Sequence, residues 1–65
     1  MRIFLNGDAR DTEATTLDGA LSALGFRDAV IATAVNGRFV AKGARQATTL
    51  AEGDAIEVVA PLQGG

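Results

Sequence analysis

Val30-Ile31-Ala32-Thr33-Ala34-Val35, then Asn36-Gly37, then Arg38-Phe39-Val40-Ala41, is the stretch whose reading decides the fold. Its first part is apolar and rich in β-branched residues, which suit a pleated, half-buried strand. Asn-Gly then supplies two residues that accept φ > 0, as the tight turn of a two-residue hairpin requires. The stretch predicts two antiparallel strands, with Phe39 and Val40 assigned to the core.

Towards the amino terminus, Ile3 and Leu5 alternate with Arg2, Phe4 and Asn6, the period-two pattern of a strand. A second Asn-Gly pair, Asn6-Gly7, predicts a return strand over Ala9 to Glu13, polar throughout. Thr15 and Thr16 are candidate helix caps, Asp18 places a negative charge in the first turn, and Leu17, Leu21 and Leu24 recur at helical spacing with Ala20 beside them. Gly25 closes this helix. Gly19 within it costs up to about 1 kcal/mol relative to Ala, so the helix needs a sheet beneath it.

Towards the carboxyl terminus, Lys42 to Thr49 has no clean periodicity, and its basic residues with Arg38 (Lys42 and Arg45) read as a solvated loop. Leu50 is the core anchor of this segment. Glu52-Gly53-Asp54 is a tight turn feeding a last strand, Ala55-Ile56-Glu57-Val58-Val59-Ala60, in which Ile56 and Val58 face one way and Ala55, Glu57 and Val59 the other. The order of elements predicts an α+β domain over residues 1–60, a mixed four- to five-stranded sheet with one main helix on one face, followed by a flexible C-terminal tail over 61–65. The opposite sheet face is left uncovered, with Phe4, Val59 and Leu62 as candidates for an exposed apolar surface.

At 65 residues, 48 % of them hydrophobic, the chain is one small globular domain. It has no Cys and no His, so a disulfide framework, a thiol nucleophile, an imidazole base and the usual zinc ligands are all excluded. The eight acidic residues show no pairing that nominates a general acid and base, and no metal site is expected. A net charge of −2 argues against nucleic acid as a partner. No apolar run approaches the ~20 residues of a membrane span and no signal peptide precedes the first strand, so a cytoplasmic protein is expected.

The last strand runs through Pro61-Leu62-Gln63 into Gly64-Gly65. Two residues without Cβ make a slim segment that can enter a narrow site on another protein. Fully extended, Pro61 to Gly65 spans at most ~18 Å, enough to bridge from a docking surface to a buried centre.

Taken together, Ala34-Val35-Asn36-Gly37-Arg38-Phe39-Val40, Leu50-Ala51-Glu52-Gly53-Asp54-Ala55-Ile56-Glu57-Val58-Val59 and Leu62-Gln63-Gly64-Gly65 resemble the ThiS-type sulfur-carrier proteins of thiamin biosynthesis. The similarity extends more loosely through Thr16, Leu17, Leu21 and Leu24. Each piece is common alone; their order ahead of a Gly-Gly ending is specific. The chain departs from the pattern in having Val40-Ala41-Lys42 where many members have Val-Pro-Arg, and in lacking a tryptophan after the hairpin. Pro61 is also similar to the proline-rich tails of the molybdopterin-synthase small subunit, the MoaD family.

The resemblance implies a ubiquitin-like β-grasp fold and a carrier with no catalytic groups of its own. It implies that Gly65 is the covalent site: an E1-like, ThiF-like adenylyltransferase would use ATP and Mg to form an acyl-adenylate at its carboxylate, and sulfur supplied ultimately by a cysteine desulfurase would convert this to a thiocarboxylate. A ThiG-like thiazole synthase would then receive the sulfur. Gly64, Gln63, Leu62 and Pro61 would enter the partners' sites, with Phe4 and Val59 on the docking surface. Alternative readings are the molybdopterin-synthase small subunit, a ubiquitin-like modifier joined to lysine through Gly65, and a non-covalent adaptor; all share the expected fold.

Overall fold

A computed structural model of the chain describes residues 1–61. In chain order the elements are β1 (Arg2–Leu5), β2 (Asp8–Asp11), α1 (Leu17–Ala23), β3 (Ala32–Val35), β4 (Arg38–Val40), a 3-10 helix (Lys42–Ala47) and β5 (Ala55–Val59). The strands form one five-stranded sheet in the order β2-β1-β5-β3-β4. The last strand thus lies in the middle, parallel to β1 and antiparallel to β3. This mixed sheet with α1 on one face is the β-grasp arrangement that the resemblance implied.

Both hairpins turn where Asn-Gly predicted. Asn6 and Gly7 have φ of 49° and 89°, Asn36 and Gly37 of 51° and 82°, so every central turn residue is in the left-handed region that matches the twist of the flanking strands. Gly53, at φ 86°, does the same for the turn before β5.

Thr16 caps α1, its Oγ1 accepting the Gly19 N–H at 3.2 Å, a bond worth about 1 kcal/mol at such positions. The helix ends in a Schellman motif: Gly25 at φ 95° lets its own N–H reach the Ser22 carbonyl and the Phe26 N–H reach the Leu21 carbonyl. Gly19 has a packing reason as well, since a Cβ there would stand 3.3 Å from both Ala14 Cβ and Thr16 Oγ1.

The core is Ile3, Leu5, Leu17, Ala20, Leu21, Leu50 and Ile56, flanked by Phe26, Ile31, Val35, Val40 and Val58. Leu50 is the expected anchor. Leu17 N–H donates to the Thr48 carbonyl and Leu50 N–H to the Thr15 carbonyl, each at 2.9 Å, so the start of α1 and the segment before β5 hold one another in place. Among the described residues no helix is long and apolar enough to cross a membrane.

The structure corrects two expectations. Phe39 is 73 % exposed rather than core. It pairs with Ala34, while Val40 pairs with Thr33, and consecutive strand residues face opposite sides, so only Val40 can face the helix. Arg45, in turn, is not a solvated loop cation but 7 % exposed. The unforeseen 3-10 helix turns it inward, where Nε donates to Thr33 Oγ1 at 3.1 Å and Nη2 to the Ile31 carbonyl at 2.8 Å. The Thr33 hydroxyl in turn donates a hydrogen bond to the Val40 carbonyl at 2.9 Å, joining the 3-10 helix, β3 and β4 in one network.

Candidate functional site

The expected covalent site, Gly65, and the adjoining Gly64, Gln63 and Leu62 lie outside the described residues. The structure describes what they are attached to. Pro61 is exposed, and Val59 is the last residue of β5.

Strand β5 is held on both sides. Phe4 and Leu5 pair with Ala55 and Ile56, and Ala32, Thr33, Ala34 and Val35 pair with Val59, Val58, Glu57 and Ile56. At its start, the Asn36 N–H donates to the Ala55 carbonyl at 2.8 Å and Asn36 Oδ1 accepts the Ala55 N–H at 2.9 Å. Asn36 Nδ2 also donates to Asp54 Oδ1 at 2.9 Å, and Asp54 Oδ2 accepts the Ala51 N–H at 2.8 Å. The Ala51 backbone bond, then the Asn36 amide, hold the Asp54 carboxyl below its ordinary pKa, since both stabilise the ionised form.

Near its end, β5 is held by Asn6. Its N–H donates to the Ile56 carbonyl at 2.9 Å, Oδ1 accepts the Val58 N–H at 2.9 Å and Nδ2 donates to the Val58 carbonyl at 3.2 Å. These asparagine contacts escaped the sequence reading, in which both residues served as turn formers only.

The face of the sheet away from α1 carries the second part of the site. The pairing puts Phe4, Ala9, Ala55, Glu57, Val59, Ala32, Ala34 and Phe39 on this face. Phe4 is 38 % and Val59 63 % exposed, and Phe39 joins them on this face. Arg2 and Asp11, opposed across β1 and β2, border it as an exposed ion pair with Nε to Oδ1 at 3.0 Å. The hydrogen bond from Arg2 and its charge hold the Asp11 carboxyl below the usual range. Such a surface pair adds little stability and serves as a polar edge to the apolar strip.

A groove of about 780 Å³ lies on the other side of the molecule, between α1, residues 26–29 and the 3-10 helix. Asp18, Asp28, Arg27, Lys42 and Arg45 line it, so both signs of charge are present. Among the described residues no group of three Asp, Glu, His or Cys side chains is placed to hold a metal ion.

The ThiS family model matches residues 3–65, from the second residue of β1 to the Gly-Gly ending. The chain belongs to the ThiS family. The crystal structure of a thiamine biosynthesis protein (ThiS) from Geobacter metallireducens is 32 % identical, covers the whole of both chains and superposes with a TM-score of 0.80. A solution structure of a thiamine biosynthesis protein from the same organism is 29 % identical, with a TM-score of 0.77 over all of this chain and 88 % of that one. A thiazole synthase of Magnetococcus marinus is 44 % identical over 66 residues, which take in the whole chain. The chain spans only 20 % of the length of that relative. The membership agrees with the ThiS-type pattern read in the hairpin, the Gly53-Asp54 turn and the last strand.

Proposed function

We propose that the chain carries sulfur for thiazole formation in thiamin biosynthesis, with the Gly65 carboxylate as the site of attachment. The observation that supports this reading most is that the family match runs to residue 65, through Leu62-Gln63-Gly64-Gly65. The relative named thiazole synthase favours a thiazole synthase as acceptor over a molybdopterin synthase.

A free α-carboxylate, with a pKa of about 3.3 to 3.7, is ionised at neutral pH and resists nucleophilic attack. An adenylyltransferase partner overcomes this by joining the carboxylate to the AMP portion of ATP, with pyrophosphate leaving. A persulfide on a desulfurase-fed donor then attacks the acyl carbon, and AMP departs with the original carboxylate oxygen. A thiol cleaves the resulting acyl-disulfide, forming a disulfide with the donor sulfur and freeing the thiocarboxylate. The product, a thiocarboxylate on Gly65, gives its sulfur to the substrate of the thiazole synthase, and an oxygen from that substrate or from water replaces it as the acyl C–S bond breaks, regenerating the carboxylate.

In this scheme ATP, Mg and the catalytic groups belong to the partners, and the chain is a co-substrate in the cytoplasm. Its own contributions are mechanical. The sheet face bearing Phe4 and Val59 docks, β5 anchors the emerging segment, and the glycines allow close approach of the backbone to the partner's reacting groups. The reading requires that Gly65 be the last residue of the working protein.

Gly65→Ala, or deletion of Gly65, tests the assignment. Each variant keeps the circular dichroism and unfolding midpoint of the unaltered chain but fails to form thiocarboxylate in a reconstituted reaction and fails to rescue a thiamin auxotroph. Normal thiocarboxylate formation by either variant would contradict it.

A further inference from the structure

Strands β1 and β3 both end in an Asn-Gly turn, and both lie directly beside β5. Because β1 runs parallel to β5 and β3 antiparallel, the two turns fall at opposite ends of it, Asn36 at Ala55 and Asn6 at Val58. Each asparagine still bonds β5 through its own N–H, Asn6 to the Ile56 carbonyl and Asn36 to the Ala55 carbonyl, but at φ near 50° it leaves the extended conformation, so the backbone ladder stops after that N–H. Its carboxamide, which is itself an amide with one acceptor and a donor, takes over that pairing.

At the outgoing end this substitution is nearly complete: Asn6 Oδ1 and Nδ2 meet both the N–H and the carbonyl of Val58, two residues beyond the last β1–β5 backbone pair at Ile56. We infer that Asn6 is a positioning residue: its carboxamide extends the β1–β5 ladder past the end of β1 and sets the direction in which the chain leaves the sheet through Ala60 and Pro61. The role in sulfur transfer rests on the carrier reading above, whereas the clamp on Val58 stands on geometry.

Asn36 provides a matched control, holding the incoming end of the same strand. Asn6→Gly and Asn36→Gly each keep a residue that accepts positive φ, so both turns persist, and each removes one carboxamide. The test compares amide hydrogen exchange in the full chain and both variants, with the Leu17 amide, bonded to the Thr48 carbonyl, as internal reference for global opening. Asn6→Gly accelerates exchange at Val58 about tenfold over the reference, the scale of losing one net hydrogen bond or slightly more. Asn36→Gly does so at Ala55 and leaves Val58 unchanged.

In thiocarboxylate formation with the activating partner, ATP and a sulfur source, Asn6→Gly lowers kcat/KM severalfold while Asn36→Gly retains the rate of the unaltered chain. Equal effects of the two variants on Val58 exchange, or equal kcat/KM, would overturn the assignment. If the unaltered chain acquires no sulfur, the carrier reading fails, and the exchange rates still decide whether Asn6 sets the exit of the chain.

Discussion

Replacing Val59 by alanine separates docking from folding on a single strand. Val→Ala removes two methyl groups, worth about 1.6 kcal/mol of transfer free energy at ~0.8 kcal/mol each. With 63 % of Val59 exposed in the free protein, about 1 kcal/mol of that can act only when a partner covers the open sheet face. The remainder, about 0.6 kcal/mol, is already realised against its neighbours in the sheet. Val59→Ala is therefore expected to weaken binding to the adenylyltransferase or the thiazole synthase about fivefold, and to lower folding stability by well under 1 kcal/mol. Three residues earlier on β5, Ile56 is 1 % exposed and faces α1, so Ile56→Ala costs about 2 to 5 kcal/mol of stability. That is a large share of the roughly 3 to 10 kcal/mol typical of a domain this size. Isothermal titration with each purified partner and urea denaturation supply the two numbers. The reasoning is refuted if Val59→Ala leaves affinity for both partners intact, or if it destabilises the fold as much as Ile56→Ala.

Other consequences follow from the polar contacts. Asp54 has a lowered pKa in the folded chain, so the stability it contributes is fully present above the ordinary carboxylate pKa and is lost as pH falls through the lowered value. Asp54→Asn should flatten the acid limb of the stability profile measured by urea denaturation, and an unchanged limb would count against the Ala51 and Asn36 contacts. Arg45→Met fills similar space but deprives Thr33 Oγ1 and the Ile31 carbonyl of their donor, with an expected cost of about 1 to 3 kcal/mol. Arg45→Lys should recover little of it, because the single nitrogen of a shorter lysine side chain cannot reproduce the two separate donors of the planar fork.

Much of the architecture was legible in the sequence because local signals and global fold agree. Asn36-Gly37 marks a tight turn, Leu17, Leu21 and Ala20 share one helix face, and Ile56 alternates with Glu57. The failures have physical causes. Hydrophobicity alone places Phe39 inward, although strand alternation forbids it from sharing a face with Val40, and an open sheet face gives an apolar side chain somewhere else to go. Arg45 sits in a segment without periodicity, and its burial depends on Thr33 and Ile31, partners that become neighbours only through the 3-10 helix. The Asn6 contact with Val58 spans 52 positions in the chain, so no local pattern could announce it. Of the candidate site, the pattern gave the family and the exposure of Phe4 and Val59, while the clamps on β5 needed the sheet order.

Sulfur carriage as proposed depends on the chemistry of one carboxylate. The most direct test is intact-mass analysis, with fragmentation of the terminal peptide, after the chain ending in Gly65 is incubated with its cognate adenylyltransferase, ATP, Mg and a sulfur source. Exchange of one oxygen for sulfur, located at Gly65, is the predicted result. An unaltered terminus in the presence of an active partner, or attachment of Gly65 to a lysine instead, would contradict it.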